Sequence, residues 1–283
     1  FIGTASDLSE FPISGKIKYY ENIGNDLDED PIWNLVDDEF LGSNIGYNLS
    51  LDFGDIDSDG DYDIVLGDYN GIVNLYLNNG NENQPFFEFY EQIEQIDLSG
   101  YTVPKLVDID LDLDLDLFIG QSGGNISFYE NIGTNQVYEF IFITDDYQNI
   151  NTNYRSSLEF IDLDDDQDLD LILGSQYDNI IYYENIGDVY NPIFSVNSNV
   201  TFPNLGLNLI PTSFNINNNN KLLVGTSTGG AFLIDLSICS MLGDYNNDLI
   251  INVVDIIYLL NIILSNNEEF NSCPFDLNND SFI

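Results

Sequence analysis

The chain alternates apolar and polar positions with the two-residue period of a β-strand. The segments GIVNLYLNNG (71–80), GNISFYENIG (124–133) and DNIIYYENIG (178–187) carry Ile, Val, Leu, Phe and Tyr between turns rich in Gly and Asn. Aromatic and β-branched residues at this spacing are typical of strands, and Gly and Asn are typical of the turns between them. The pattern therefore predicts an all-β structure for most of the chain.

The pattern repeats. Three acidic segments that each end in a Gly begin at Asp55, Asp108 and Asp162, 53 and 54 positions apart, and one of the strand segments above follows each of them. Weaker copies flank the three, before residue 25 and around 221–236. A repeat of about fifty residues has room for four short antiparallel strands, which is one blade of a β-propeller.

We therefore predict a β-propeller of four-stranded blades over residues 1–236. The first three residues match the end of an acidic segment, so we expect a partial propeller or a fragment of a longer one. Blades bury their faces against their neighbours, and strands that lead into the acidic segments supply core residues. The predicted core residues are Phe53, Leu106, Val107, Leu158 and Phe160.

The acidic segments have the spacing of a calcium loop. Positions are counted from the first Asp of each segment, which is Asp55, Asp108 or Asp162. Carboxylates then fall at positions 1, 3, 5 and 9, and the Asp at position 7 can offer its backbone carbonyl. Such a series of oxygen donors suits Ca²⁺, which takes six to eight oxygens and tolerates irregular geometry better than Mg²⁺. The alternative is an acidic, solvated turn. The predicted ligands are Asp55, Asp57, Asp59, Asp61 and Asp63, then Asp108, Asp110, Asp112, Asp114 and Asp116, then Asp162, Asp164, Asp166, Asp168 and Asp170.

Position 6 and the last copy depart from this pattern. Gly60 suits the sharp turn at position 6, whereas Leu113 and Gln167 need a less favourable backbone conformation there, which predicts weaker sites. In the last copy, counting back from Gly225 puts polar or basic residues at the ligand positions. These residues are Ser213, Asn215, Asn217 and Lys221. We interpret this copy as a site without metal, in which the Lys221 ammonium replaces the cation.

The loop pattern DxDxDGxxD, followed by an apolar strand ending in Gly and a YYENIG-like strand, resembles the FG-GAP or VCBS repeat. The resemblance covers roughly residues 1–236. It implies a propeller like that of integrin α-subunits, with calcium loops on one rim and extracellular roles in adhesion or glycan contact. Some members are non-catalytic domains attached to polysaccharide-degrading enzymes, so the resemblance implies no particular ligand.

Residues 237–283 form a second unit by sequence. Asp244 opens a series of oxygen donors in the order of an EF-hand loop, and an apolar run of helical length follows at 254–264. A second copy begins at Asp276 and reaches position 5 before residue 283. The predicted ligands are Asp244, Asn246, Asp248, Ile250 through its carbonyl, Asn252 and Asp255, and in the second copy Asp276, Asn278 and Asp280.

This tandem arrangement resembles a type I dockerin, which implies a small α-helical calcium-binding module and a cohesin-like partner. Val253 and Val254 stand where dockerins often carry polar partner-reading residues, so a calcium-clamped spacer is the alternative. Cys239 and Cys273 precede the two copies at nearly equivalent places. They predict a disulfide of an oxidising compartment, with two free thiols as the alternative.

Charge and composition limit the function. The chain has 49 acidic and five basic residues, a net charge of −44, and no His. Such a surface repels nucleic acids and anionic membranes, and the apolar run near 253–264 is too short to span a bilayer. The lack of His removes the usual general base and nucleophile pairs.

We therefore expect no enzyme but a secreted or cell-surface interaction module that contacts glycans or proteins. Surface Tyr residues and Trp33 can stack on sugar rings. An architectural part of an extracellular assembly is one alternative, and an accessory domain of a polysaccharide-degrading enzyme is another.

Overall fold

The computed structural model describes most of the chain up to residue 236. The described ranges are 2–3, 15–25, 31–42, 45–81, 84–93, 100–134, 137–164, 166–198, 200–216, 219–227 and 230–236. The dockerin-like module predicted over residues 237–283, with its calcium ligands and both cysteines, lies outside the described residues.

The described residues are all-β apart from a single 3₁₀ turn at Tyr147–Asn149. Their strands form five antiparallel sheets, in each of which neighbouring strands follow one another along the chain. The first sheet consists of β1 (Ile2–Gly3), β2 (Ile17–Asn25) and β3 (Pro31–Asp37). The second consists of β4 (Ser50–Gly54), β5 (Asp63–Gly67), β6 (Val73–Asn78) and β7 (Phe87–Gln92).

The remaining sheets repeat this order. The third consists of β8 (Val103–Val107), β9 (Asp116–Gly120), β10 (Ile126–Asn131) and β11 (Phe140–Thr144). The fourth consists of β12 (Ser157–Ile161), β13 (Asp170–Gly174), β14 (Ile181–Asn185) and β15 (Phe194–Val196). The fifth consists of β16 (Ile210–Ile216), β17 (Asn219–Gly225) and β18 (Ala231–Asp235).

The sheets are arranged as the blades of a propeller. The first strands of the second to fifth sheets, β4, β8, β12 and β16, contact one another in that order. This order places four blades side by side with their first strands innermost. The first sheet packs against the second through Ile17, which joins a cluster with Ile64 and Leu66. The all-β propeller prediction is confirmed for the described residues.

The apolar runs that end in Gly form the second strand of each complete blade. Strands β5, β9 and β13 are buried along their whole length, as expected for strands covered on both faces. The closing Gly is required by close packing, because a Cβ at Gly120 would collide with the backbone carbonyl of Ser156 in the next blade. The equivalent pairs are Gly67 with Thr102 and Gly174 with Leu209.

The predicted core residues lie between the blades. Leu106, Leu158 and Phe160 are buried, whereas Phe53 and Val107 are partly buried and pack at the edges of the clusters. Within the described ranges, no helix combines the length and the hydrophobicity that a membrane-spanning segment needs.

The predicted alignment of the last copy with the acidic loops is wrong. Strands β16 and β17 are separated by two residues, against eight between β4 and β5. Ser213 lies within β16 opposite Leu222, and Asn215 lies opposite Asn220 in the same pair of strands. Counting back from Gly225 crossed the shortened connection and therefore shifted the alignment.

The other two positions of this copy have different outcomes. Asn217 lies outside the described residues. Lys221 lies in β17, four positions before the closing Gly, as Asp170 does in β13. The short connection leaves no acidic loop between β16 and β17, so the interpretation of Lys221 as a substitute for a cation in such a loop is not supported.

Candidate metal centres

Three acidic loops join the first strand of a blade to the second. They cover residues 55–62, 108–115 and 162–169, between β4 and β5, β8 and β9, and β12 and β13. Equivalent connections between equivalent strands lie at the same end of the blades, so the three loops share one rim of the propeller.

The loops bring carboxylates together. In each loop, oxygens of three carboxylates lie within 4.8 Å of one another. Every group contains the carboxylates at positions 1 and 3. The third carboxylate is that of position 9 in the first loop and that of position 5 in the other two loops. The groups are Asp55, Asp57 and Asp63, then Asp108, Asp110 and Asp112, then Asp162, Asp164 and Asp166.

The carboxylate at position 1 organises each loop. The backbone N–H groups of Asp59 and Gly60 donate to the two oxygens of Asp55, at 3.1 and 3.2 Å. Asp108 and Asp162 accept the equivalent pairs of hydrogen bonds at 3.0 to 3.2 Å. An ionised carboxylate has about four acceptor sites, so these bonds leave oxygen lone pairs available to a cation.

The carboxylate at position 9 connects the loop to the third strand of its blade. Asp63, Asp116 and Asp170 are buried, and each accepts a hydrogen bond from an Asn backbone N–H at 2.8 Å. Burial raises the pKa of Asp63 and of Asp170 to about 6 and that of Asp116 to about 7. The cause is desolvation, which a bound cation would counteract.

Position 7 shows a feature that the sequence did not predict. In Asp61, Asp114 and Asp168 the side-chain oxygen Oδ1 is buried and has no hydrogen-bond partner. Burial, followed by repulsion from the other loop carboxylates, raises the pKa of Asp114 and of Asp168 to about 6. A buried acceptor without a partner is unfavourable. This unpartnered oxygen recurs at the same position of three loops, and the candidate metal ligands around it are all oxygen atoms. Such a set of ligands fits a hard divalent cation such as Ca²⁺.

The backbone at position 6 is left-handed in all three loops, as the sequence predicted. The φ angle is 99° at Gly60, 77° at Leu113 and 79° at Gln167. This conformation is favourable for Gly and costs other residues about 1 to 2 kcal/mol.

We expect Gly60→Ala to lower the free energy of unfolding by about 1 kcal/mol. No atom lies within 4 Å of the added Cβ, so the loss reports backbone strain alone. Leu113→Gly should raise the free energy of unfolding by up to about 1 kcal/mol, because Leu113 is 76% exposed and little packing is lost. Urea unfolding in excess calcium measures both. Leu113→Ala is the control, and equal stability of Leu113→Gly and Leu113→Ala would contradict the strain argument.

The Asn of the ENIG-type segments has a structural role that the sequence did not predict. The Oδ1 of Asn131 accepts hydrogen bonds from the N–H groups of Gly133 and Glu139, at 3.2 and 2.8 Å. Asn78 and Asn185 make the same pair of bonds in their blades. The Asn therefore closes the hairpin between the third and fourth strands, while its own N–H holds the position-9 carboxylate. The repetition of the segment was the available signal.

A polar line crosses the four innermost strands. Lys105 Nζ lies 3.3 Å from an oxygen of Asp52 and 2.9 Å from one of Glu159, and Ser213 Oγ donates to Glu159 at 2.6 Å. Asp52, Lys105 and Glu159 are the third residues of β4, β8 and β12, and Ser213 is the fourth residue of β16. Although burial opposes it, the carboxylates of Asp52 and Glu159 raise the pKa of Lys105. The line therefore holds neighbouring blades together by charge.

A second row of contacts crosses the blades at the opposite rim. Tyr47 stacks on Tyr69 with ring centroids 4.7 Å apart, and Tyr69 meets the edge of Tyr101 at 4.6 Å. The Arg155 guanidinium lies 3.3 Å from the Tyr101 ring centroid and donates to Asn208 Oδ1 at 2.8 Å. The row links four blades by ring packing, a cation–π contact and a hydrogen bond.

Repeated blades with acidic loops on one rim define the described part of the chain as a repeat β-propeller with candidate cation sites. A family model, the FG-GAP-like repeat, matches residues 55–119, from the first acidic loop through the second and into β9. This match supports the resemblance seen in the sequence over that segment. No curated protein matches the chain.

Proposed function

We propose that the chain is a calcium-binding, non-catalytic interaction module of adhesion type. The observation that carries the calcium proposal is the buried Asp oxygen without a partner at position 7 of each of the three loops. The gathered carboxylates at positions 1 and 3 support it, because a bound cation would offset their mutual repulsion.

The proposed location is outside the cell or at its surface. Extracellular calcium modules bind the ion with dissociation constants of roughly 10⁻⁴ to 10⁻³ M, which suits loops with exposed carboxylates. The absence of His from the sequence and the similarity to an FG-GAP-like repeat support a role in binding rather than catalysis. Docking of residues 237–283 onto a cohesin-like partner stays a prediction from the sequence.

Calcium stoichiometry tests the proposal. We expect the intact chain to bind at least three Ca²⁺ ions in isothermal titration calorimetry. Asp57→Asn, Asp110→Asn and Asp164→Asn should each remove one ion, because each changes position 3 of a different loop. Asp146→Asn is the control, since it makes the same change at an exposed Asp outside the loops. Fewer than three ions, or equal stoichiometry in the loop variants and the control, would contradict the calcium assignment.

A further inference from the structure

A cleft opens between the outer parts of the second and third blades. Its two adjoining parts have volumes of about 340 and 330 Å³ and share Glu91 and Tyr138 in their walls. The part that contains Tyr90 is lined by Asp57, Leu77, Tyr90, Glu91, Val137 and Tyr138. A volume of this size is at the lower end of the range of ligand pockets and accommodates one long side chain.

A β-bulge shapes the cleft. The pairing of β6 with β7 shifts between Leu75, which faces Glu91, and Tyr76, which faces Phe89, so that Tyr90 is the extra residue. In a regular strand, Tyr90 and Glu91 would point to opposite faces. The bulge lets both consecutive side chains line the cleft, and bulges often redirect side chains in this way beside functional sites.

Two aromatic rings and a carboxylate form a corner within the cleft. The rings of Tyr90 and Tyr138 lie 6.1 Å apart at an angle of 70°, so they form two walls that are nearly perpendicular. The Tyr138 hydroxyl donates to Glu91 Oε1 at 3.0 Å and fixes the carboxylate beside the rings. Tyr90 is 57% exposed, so one wall remains accessible to a ligand.

This corner has the chemistry of a cation site. Aromatic faces and a carboxylate attract ammonium and guanidinium groups, and the side chains of Leu77 and Val137 offer apolar contact for an aliphatic stem. Among the described residues that line the cleft there is no Lys or Arg. The net charge of −44 also attracts basic partners over a distance.

We propose that the cleft binds a Lys or Arg side chain presented by a partner protein. The inference rests on the proposed interaction function and specifies the chemistry of the partner. The aliphatic stem lies against Leu77 and Val137, and the charged group reaches the corner of Tyr90, Tyr138 and Glu91.

The next blade provides an internal comparison. Strand β11 has the equivalent bulge, between Thr144 and Phe142, so that Ile143 takes the position of Tyr90. Thr144 takes the position of Glu91, and this bulge therefore offers neither the phenol ring nor the carboxylate. In the first sheet, β3 has an equivalent bulge with Val36 in the position of Tyr90 and Asp37 in that of Glu91, whereas the pairing of β14 with β15 shows no shift. Among these bulges in the described residues, the second blade alone combines a phenol ring with a carboxylate.

Peptide binding to the intact chain tests the inference. The probe is a Gly-Ser peptide that contains three Arg residues, and its partner peptide carries neutral citrulline in their place. Calorimetry in calcium at physiological salt should show binding of the Arg peptide and at least about tenfold weaker binding of the citrulline peptide. Glu91→Gln should weaken binding of the Arg peptide about tenfold, and Tyr90→Ala should weaken it about fivefold.

Matched variants separate the cleft from the overall charge. Glu88→Gln removes the same charge from the same strand outside the cleft, and Tyr154→Ala removes another exposed Tyr. Both should bind the Arg peptide within about twofold of the parent. Equal binding by Glu91→Gln and Glu88→Gln would show attraction by net charge only and overturn the inference. Binding of neutral oligosaccharides that depends on Tyr90, with no binding of the Arg peptide, would overturn the proposed ligand class.

A parallel titration in EDTA separates this inference from the calcium proposal. It is made at a temperature at which circular dichroism shows the chain to be folded. Peptide binding that depends on Glu91, together with the absence of bound calcium, would contradict the calcium proposal and leave this inference intact. If the chain binds calcium but its binding of the peptide is insensitive to changes at Glu91 and Tyr90, the result would contradict this inference and leave the calcium proposal intact.

Discussion

Removal of calcium should lower the free energy of unfolding of the chain by about 8 kcal/mol. Each of the three candidate loops contributes about 2.7 kcal/mol when the free ion is at a hundred times its dissociation constant. For a domain of this size, each kcal/mol corresponds to roughly 2 to 4 °C in the melting temperature. Thermal unfolding followed by circular dichroism should therefore give a melting temperature about 15 to 30 °C lower in EDTA than in calcium.

Three comparisons make this result specific to the loops. Sodium chloride at matched ionic strength controls for screening of the large negative charge, which stabilises any acidic protein. Magnesium at the same concentration should restore less stability, because its stricter geometry suits these loops less well. The triple variant Asp57→Asn, Asp110→Asn and Asp164→Asn should lose most of the calcium response. A full response in that variant would place the stabilising ions elsewhere.

The repeat made the blades and the acidic loops predictable. Period-2 runs such as 71–80 predicted strands, and the spacing of Asp55, Asp108 and Asp162 predicted equivalent connections in successive blades. Both signals are local or periodic, so they can be recognised in the sequence without knowledge of tertiary contacts. The left-handed backbone at Leu113 and Gln167 was predictable for the same reason, because the position is defined within a single loop.

Features that depend on contacts between blades were not predictable. Lys105 and Glu159 occupy one repeat position, but only the packing of β8 against β12 shows that they meet. The alignment of Ser213 failed because a shortened hairpin is invisible when residues are counted from one end. The corner of Tyr90 and Tyr138 depends on a bulge and on two blades. In each case the deciding fact is a distance between residues far apart in sequence.

The charge line across the innermost strands gives the second large expected effect. Lys105→Met should lower the free energy of unfolding by about 3 to 5 kcal/mol, because it leaves a buried carboxylate without its counter-charge. The side chain of Glu159 is 5% exposed, and burial raises its pKa even with Lys105 beside it. The energetic cost of losing Lys105 is smaller at Asp52, because the side chain of Asp52 is 20% exposed and also accepts a hydrogen bond from the Leu106 N–H at 2.8 Å. Urea unfolding in saturating calcium measures the loss.

Two further variants decide whether the loss comes from the ion pair. Lys18→Met makes the same change of charge at a Lys outside this line, and it should alter stability by no more than about 0.5 kcal/mol. Adding Glu159→Gln to Lys105→Met removes the uncompensated charge and keeps the acceptor for Ser213, so it should recover at least half of the loss. If the double variant is as unstable as Lys105→Met, the contribution of Lys105 is packing of its aliphatic stem rather than charge. The charge of this line would then contribute nothing to the attachment of neighbouring blades.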